Sequence, residues 1–157
     1  MEKAIGLREK TLADYRKDFK ITKDGDFYVI TGYKGQNPAV FIPARIKDVP
    51  VQIGRGAFSG NEHIQSVDIE DGLTSIGLCA FSSCRNLQSV RIPNGVTRIE
   101  WNTFNYCKNL QSISLPGSVI YIGVCAFGGC NNLTISAPAD SFAETYAKQN
   151  HIRFQAT

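Results

Sequence analysis

Three cysteines, Cys84, Cys107 and Cys130, recur at intervals of 23 residues. In a chain whose structure repeats at that interval such thiols stack one above another, which offers two kinds of chemistry, a soft-metal site or a redox pair. The spacing argues against both. No Cys-x-x-Cys occurs, the total of five cysteines is odd, and Cys79 and Cys125 share a position two intervals apart, too far for a bond. Each recurring cysteine also stands three residues before a leucine, Leu87, Leu110 or Leu133. That pattern fits a small buried residue with a weak S–H donor, so all five thiols are expected to be reduced.

The other candidates are weighed in the same way. Asn86, Asn109 and Asn132 sit immediately before those leucines. They are read as buried amides that satisfy turn backbone groups, against the alternative of ligand contacts. His63 and His151 have no partner at ligand spacing, and no Cys–His pair is placed for nucleophilic catalysis. Gly77 and Gly123 are single turn glycines at repeat spacing, not a phosphate loop. No catalytic residue, metal or cofactor is expected, and the chain is read as not an enzyme.

What positions these residues is the repeat itself. Phe58, Phe81, Phe104 and Phe127 keep the 23-residue interval, as do Ile53, Ile76, Ile99 and Ile122, and Ile64, Leu87, Leu110 and Leu133. Val67, Val90 and Ile113 follow, then Ile69, Ile92 and Leu115. One such unit cannot bury its apolar side alone, but stacked units share a continuous interior, so a right-handed solenoid is expected. The Val-x-Ile alternation has the period of a strand, with Val90 and Ile92 inward, Ser89 and Arg91 outward, and Pro93 ending the strand. The part of each unit around Phe81 is expected to be a tight turn or short helix.

Val40, Ile42 and Pro43 repeat the strand pattern ahead of an insertion around residues 47–50, and Ile135-Ser136-Ala137-Pro138 repeats it one residue short, giving about five rungs. The ends of a solenoid need covering. Phe19-Lys20-Ile21 and Phe27-Tyr28-Val29-Ile30 around Asp24-Gly25 predict a hairpin cap. Ser141-Phe142-Ala143-Glu144 has capping-box form and opens a helix to Gln149 with Phe142 and Tyr146 four apart, and Ile152-Arg153-Phe154 is a candidate last strand. The organisation read from this is a tail or short helix over 1–18, with Leu12, Tyr15 and Phe19 at helical spacing. An N-terminal cap and partial rung follow over 19–51, then repeats over 52–138 and a C-terminal cap over 139–157.

The 17 basic and 14 acidic residues are interspersed, which gives no reason to propose nucleic acid. Nothing in the sequence has the length of a membrane span, so no membrane insertion is expected. Residues 1–8 lack an apolar stretch of secretory length, so a cytoplasmic location is expected if Met1 is the native start, and a secreted or cell-surface one otherwise.

The unit Ile76-Gly77-x-x-Ala80-Phe81-x-x-Cys84-x-Asn86-Leu87-x-x-Val90-x-Ile92-Pro93 resembles the BspA-type leucine-rich repeat. The lead-in Ile30-Thr31-Gly32-Tyr33-Lys34-Gly35 and the ending Tyr146-Ala147-Lys148-x-x-x-Ile152-x-Phe154 are similar to that family's termini, so the resemblance covers roughly residues 27–155. Its third copy departs at Glu100, Trp101-Asn102 and Thr103. The resemblance implies a mainly β (α+β) repeat fold, a leucine-rich-repeat solenoid with a β-hairpin cap before it and a helical cap after it. It also implies relatives among bacterial and protist surface proteins that bind host or microbial partners, and no catalytic residue.

The expected function is therefore a protein-binding or adhesive module, with an intracellular scaffold or self-associating repeat unit as the alternative. The expected surface is the outward grid of the strands: Ser66, Asp68 and Glu70, then Ser89 and Arg91, then Ser112 and Ser114, bordered by Gln65, Gln88 and Gln111. Its height of about 20 Å suits a peptide, glycan or modest protein contact. The competing account has the Gln and Ser columns hydrogen-bonding up the stack and Asp68 pairing with Arg91 across rungs.

Overall fold

The structure, a computed structural model, describes residues 9–157; of the N-terminal tail expected over residues 1–18, the first eight lie outside it. Thr11 caps one helical turn, α1 (Leu12–Tyr15), by accepting from the backbone N of Asp14, while the Asp14 carboxylate accepts from the backbone N of Thr11. The predicted hairpin follows as β1 (Phe19–Asp24) and β2 (Phe27–Tyr33), antiparallel. Asp24 pairs with Phe27, so the turn is Gly25-Asp26 and not Asp24-Gly25, with Gly25 taking the left-handed φ of +54°.

The first strand of the stack is β3 (Ala39–Ile42). The insertion then closes on itself as a tight antiparallel hairpin, β4 (Arg45–Ile46) and β5 (Val49–Ile53), which adds length without disturbing the stack. Four more strands and two short ones complete the repeats: β6 (Ser66–Ile69), β7 (Ser89–Arg91), β8 (Arg98–Ile99), β9 (Ser112–Ser114), β10 (Tyr121–Ile122) and β11 (Thr134–Ala137). The chain ends with α2 (Phe142–Gln149) and β12 (Arg153–Ala156).

Strands β3, β6, β7, β9, β11 and β12 form one parallel sheet of six. Val40, Val67, Val90, Ile113 and Ile135 are in register across it, all pointing inward and all buried. These are the five expected rungs, and β12 adds a sixth strand by pairing in parallel with β11. Backbone bonds pass from rung to rung in the same pattern: the N–H of Gln88 donates to Gln65, that of Gln111 to Gln88, and that of Thr134 to Gln111.

A second, narrower stack was not anticipated. Ile30 pairs with Ile53, Ile53 with Ile76, and Ile99 with Ile122. Ile30 thus opens the isoleucine column one rung earlier than the repeat alone suggested, and the hairpin cap covers the edge of this second stack. Gly77 and Gly123 belong here for a reason other than turn geometry. A Cβ at Gly77 would lie 2.6 Å from the backbone N of Arg55, and one at Gly123 would lie 2.4 Å from Cδ1 of Trp101. Close approach of neighbouring rungs, not a left-handed φ, excludes side chains at both positions.

Between the two stacks runs the aromatic spine. Phe58, Phe81, Phe104 and Phe127 stack with centroid separations of 4.8, 5.4 and 5.6 Å and near-parallel rings. Phe19 and Tyr33 close the spine at one end and Tyr146 at the other. Each fully buried Phe is worth about 1.5–3 kcal/mol of burial, and stacked pairs add to it.

The segments around the phenylalanines are turns. Two columns in them take left-handed backbone: Gly56, Cys79, Asn102 and Cys125 in one, Gly60, Ser83, Tyr106 and Gly129 in the other, all with φ between +55° and +75°.

In the C-terminal cap Ser141 accepts from the backbone N of Glu144, as the capping-box pattern predicts, but the Glu144 carboxylate reaches the N–H of Asp140 and not that of Ser141. The helix buries Ala143 and Ala147, whereas Phe142 is 43% exposed. Small alanines let the helix lie close on the last rung, and only Tyr146 of the expected aromatic pair reaches the spine.

Candidate functional site

Alternation along the strands places the predicted grid on one solvent-facing surface. Ala39, Ser66, Ser89, Ser112, Thr134 and Arg153 form one register row of the six-stranded sheet. Phe41, Asp68, Arg91, Ser114, Ser136 and Gln155 form the next outward row. Gln65, Gln88 and Gln111 border the first row at the strand entrances, and all three are exposed. Among the described residues no side-chain hydrogen bond runs along the Ser or Gln columns, so these side chains are not tied up the stack.

Glu70 stands apart from the grid. It follows the end of β6, and its Oε2 accepts from the backbone N of Ala44 at 2.8 Å, which fixes the chain where it leaves β3.

Asp68 and Arg91 do pair, with Nε 2.6 Å from Oδ1. Arg91 makes more contacts than the sequence suggested: Nη1 reaches Asp71 Oδ1 at 3.1 Å and Nη2 donates to the carbonyl of Ile69 at 2.6 Å. The hydrogen bonds to Asp68 and then Asp71 hold the guanidinium above its ordinary pKa. An exposed pair contributes little energy by itself, but three acceptors fix the direction of this side chain.

Beside it lies a hollow of about 370 Å³ spanning the first three rungs, lined by Phe41, Ser66, Asp68, Ser89 and Arg91, with the strands at Val40, Val67 and Val90, whose side chains point inward, at its base. Phe41, absent from the sequence-derived grid, is 49% exposed at its rim. The lead-in Val40-x-Ile42 contains the signal for it, since the residue between two inward positions must face out.

The remaining candidates resolve as structure. Cys84, Cys107 and Cys130 are buried and donate their S–H to the carbonyls of Phe58, Phe81 and Phe104, one rung back, at 3.0, 3.0 and 3.2 Å. A hydrogen bond involving Cys84, followed by burial, pushes the Cys107 thiol far up, and burial followed by the neighbouring Cys107 pushes Cys130 up to about 12. Such thiols remain protonated and unreactive. Asn86 and Asn109 donate to the carbonyls of Glu62 and Arg85 at 2.7 Å, so the amides do satisfy turn backbone. They are exposed and not buried as expected, because the carbonyls they serve lie at the surface. The carbonyl of Asn132 accepts from Arg153. His63 and His151 are both exposed.

On the other side, Leu78, Trp101 and Val124 occupy equivalent positions on successive rungs and are exposed, Trp101 by 53%. The indole N–H donates to the hydroxyl of Tyr121 at 2.6 Å, and Arg98 lies 3.9 Å over the Tyr121 ring. Among the described residues no cluster of three His, Cys, Asp or Glu could hold a metal ion, and no helix is long and apolar enough to cross a membrane.

The sequence profile of the BspA type leucine rich repeat region matches residues 40–151 in six copies. Solved bacterial leucine-rich-repeat structures are similar. The Treponema pallidum protein TpLRR is 27% identical over 76% of this chain and 69% of its own, with a TM-score of 0.65. A leucine-rich repeat protein from Bacteroides capillosus is 25% identical over 76% of this chain and 99% of its own, with a TM-score of 0.66. One from Bacteroides ovatus is 29% identical over 89% of this chain, with a TM-score of 0.65, and this chain spans 40% of its length. Among curated proteins none gives a significant match. Repeat folds of this kind generally serve binding and not catalysis.

Proposed function

The chain belongs to the BspA-type leucine-rich-repeat family, and on that premise we propose that it is a non-catalytic protein-binding or adhesive module whose strand face holds a protein, peptide or glycan partner. The observation that carries this reading is the hollow across the first three rungs, where exposed Asp68 and Arg91 and half-buried Ser66 and Ser89 lie beside the exposed ring of Phe41. A concavity that joins an exposed apolar group to a few fixed polar ones is the usual form of a recognition site. Ser112, Ser114, Gln88 and Gln111 extend it along the stack, while Gln65 borders its start.

The test is capture of ligands from a displayed linear-peptide library and from a glycan array, comparing the chain with an Asp68→Ala/Arg91→Ala double variant. Ligands retained by the parent should be lost by the double variant, which keeps its fold because the pair is exposed. Equal retention by both proteins, together with loss on Trp101→Ala, would move the site to the opposite side.

A second reading, a self-associating scaffold unit, draws support from the outer edges of β3 and β12 at the two ends of the sheet, which no other strand pairs with among the described residues. Light scattering across a concentration series tests it, and a constant monomer mass would dismiss it.

A further inference from the structure

Phe41 stands between two hollows. The larger is the strand-face hollow of about 370 Å³. The smaller, about 130 Å³, shares Ala39, Val40 and Phe41 with it and is otherwise lined by the N-terminal cap, including Lys10, Asp14, Asp18 and Tyr33. The two together form a cleft whose central ridge is an aromatic ring 49% exposed to solvent.

The charge around this cleft is opposite in sign to that of the chain. The chain carries a net +3. At the cleft, among the described residues, Asp14, Asp18 and Asp68 outnumber Lys10 and Arg91. Of the cations, Arg91 is held by Asp68 and by Asp71, and Lys10 lies over the Tyr15 ring; Lys17, outside both hollows, pairs with Asp14, which leaves Asp18 as the carboxylate that carries the excess. Asp18 makes no ion pair among the described residues. Tyr15 and Tyr33, which line the smaller hollow, are both shifted above the ordinary phenol value. Burial is the first cause, and the carboxylates of Glu70 and Asp18 respectively come next. An excess of negative potential beside an exposed ring favours a cation next to an apolar group.

We propose that this cleft takes an extended peptide in which one aromatic or aliphatic side chain is flanked by lysine or arginine. The apolar side chain enters the larger hollow against Phe41, and the basic residue reaches Asp18 in the smaller one. A flat protein partner needs about 800 Å² on each side, more than two such hollows provide, whereas one anchored side chain with a neighbouring charge fits them. The inference rests on the strand face being the binding surface and specifies what that surface accepts.

Three fluorescein-labelled peptides test it by anisotropy on the full chain: Gly-Ser-Lys-Phe-Lys-Ser-Gly, the same peptide with Glu in place of Lys, and the same with Ser in place of Phe. The first should bind about tenfold more tightly than either of the others and should weaken as salt is raised. Phe41→Ser and Asp18→Asn should each weaken it by about threefold or more, with circular dichroism unchanged because both side chains are exposed. Equal affinity for the three peptides, indifference to both variants, or no saturable binding up to about 1 mM overturns the proposal. Ser112→Arg, on the same face but outside both hollows, separates the two levels. Binding lost there but unaffected by Phe41→Ser and Asp18→Asn leaves the strand-face reading standing and removes the peptide class, whereas binding that no strand-face variant alters removes both.

Discussion

Replacing Ser83 by glycine should stabilise the protein, whereas the same change one residue earlier, at Ser82, should destabilise it. Ser83 lies in the left-handed column with φ of +60°, and Ser82 does not. A residue with a Cβ in that region costs about 1–2 kcal/mol that glycine avoids. Glycine in turn gives the unfolded chain more freedom, a cost of about 0.5–1 kcal/mol. The difference favours Ser83→Gly by about 0.5–1 kcal/mol. At Ser82 only the entropic cost remains, together with the loss of a long 3.5 Å hydrogen bond from its Oγ to Asn105, so about 1 kcal/mol is lost. Ser83 is the cleanest position in its column: at Gly60, one rung earlier, a Cβ would meet nothing within 4 Å, which indicates that packing does not dictate the choice there. For a domain of this size each kcal/mol shifts Tm by about 2–4 °C, so the two variants should melt about 5 °C apart on opposite sides of the parent. Urea unfolding followed by circular dichroism gives the same comparison as free energy. Shifts of the same sign for both variants, or a less stable Ser83→Gly, would refute the assignment of backbone strain to this column.

Two further outcomes follow from the core. Thiol titration of the native protein at neutral pH should modify Cys125 first and Cys79 more slowly, with Cys84, Cys107 and Cys130 reacting only on unfolding; a fast third thiol would contradict the buried column. Because Cys107 and Cys130 are raised in the fold, their stabilising effect is fully present below about pH 9, near the unfolded thiol value, and is lost as pH climbs toward 12. The slope is up to about 1.4 kcal/mol per pH unit for each thiol, so urea midpoints measured from pH 8 to 11 should fall less steeply in Cys130→Ala than in the parent. Phe104→Ala should cost about 3–5 kcal/mol, because it removes a ring that is stacked on both sides and fully buried. A loss below about 1 kcal/mol in chemical denaturation would mean that the spine is not continuous.

The columns of Phe, Leu, Val and Ile were legible because inward residues must repeat with the rung, and the structure buries all of them except Ile122, which is half-buried against the core. The insertion was legible from the delay between Ile42 and Ile53, and the capped helix from Ser141 and Glu144. The second stack was not, since strands of two residues such as Arg98–Ile99 are too short to display an alternating pattern. The left-handed columns were concealed because Cys, Ser, Asn and Tyr occupy them beside glycine, and only comparison with Gly56, Gly60 and Gly129 across rungs gives them away. At the candidate site, Asp68 and Arg91 could be paired from the 23-residue step. Asp71 could not, because it lies beyond the strand, where turn geometry decides what a side chain reaches. Glu70 was placed on the face by alternation, yet its carboxylate bends back to a backbone N–H that no periodicity foretells.

The rung-to-rung backbone bonds also determine how the protein would answer mechanical load. The cap that holds residue 9 onward lies at the β3 end and β12 lies at the other, so tension applied between that cap and β12 runs along the stack and across its hydrogen bonds. Strands loaded in that direction part a few bonds at a time, like a zip, in contrast to the simultaneous shearing of strands pulled lengthwise. Each released unit of 23 residues lengthens the chain by about 80 Å at full extension. A molecule tethered at both ends would therefore yield in small, repeated steps at modest force and act as a compliant spacer, with its remaining rungs still folded and their outer faces still presented.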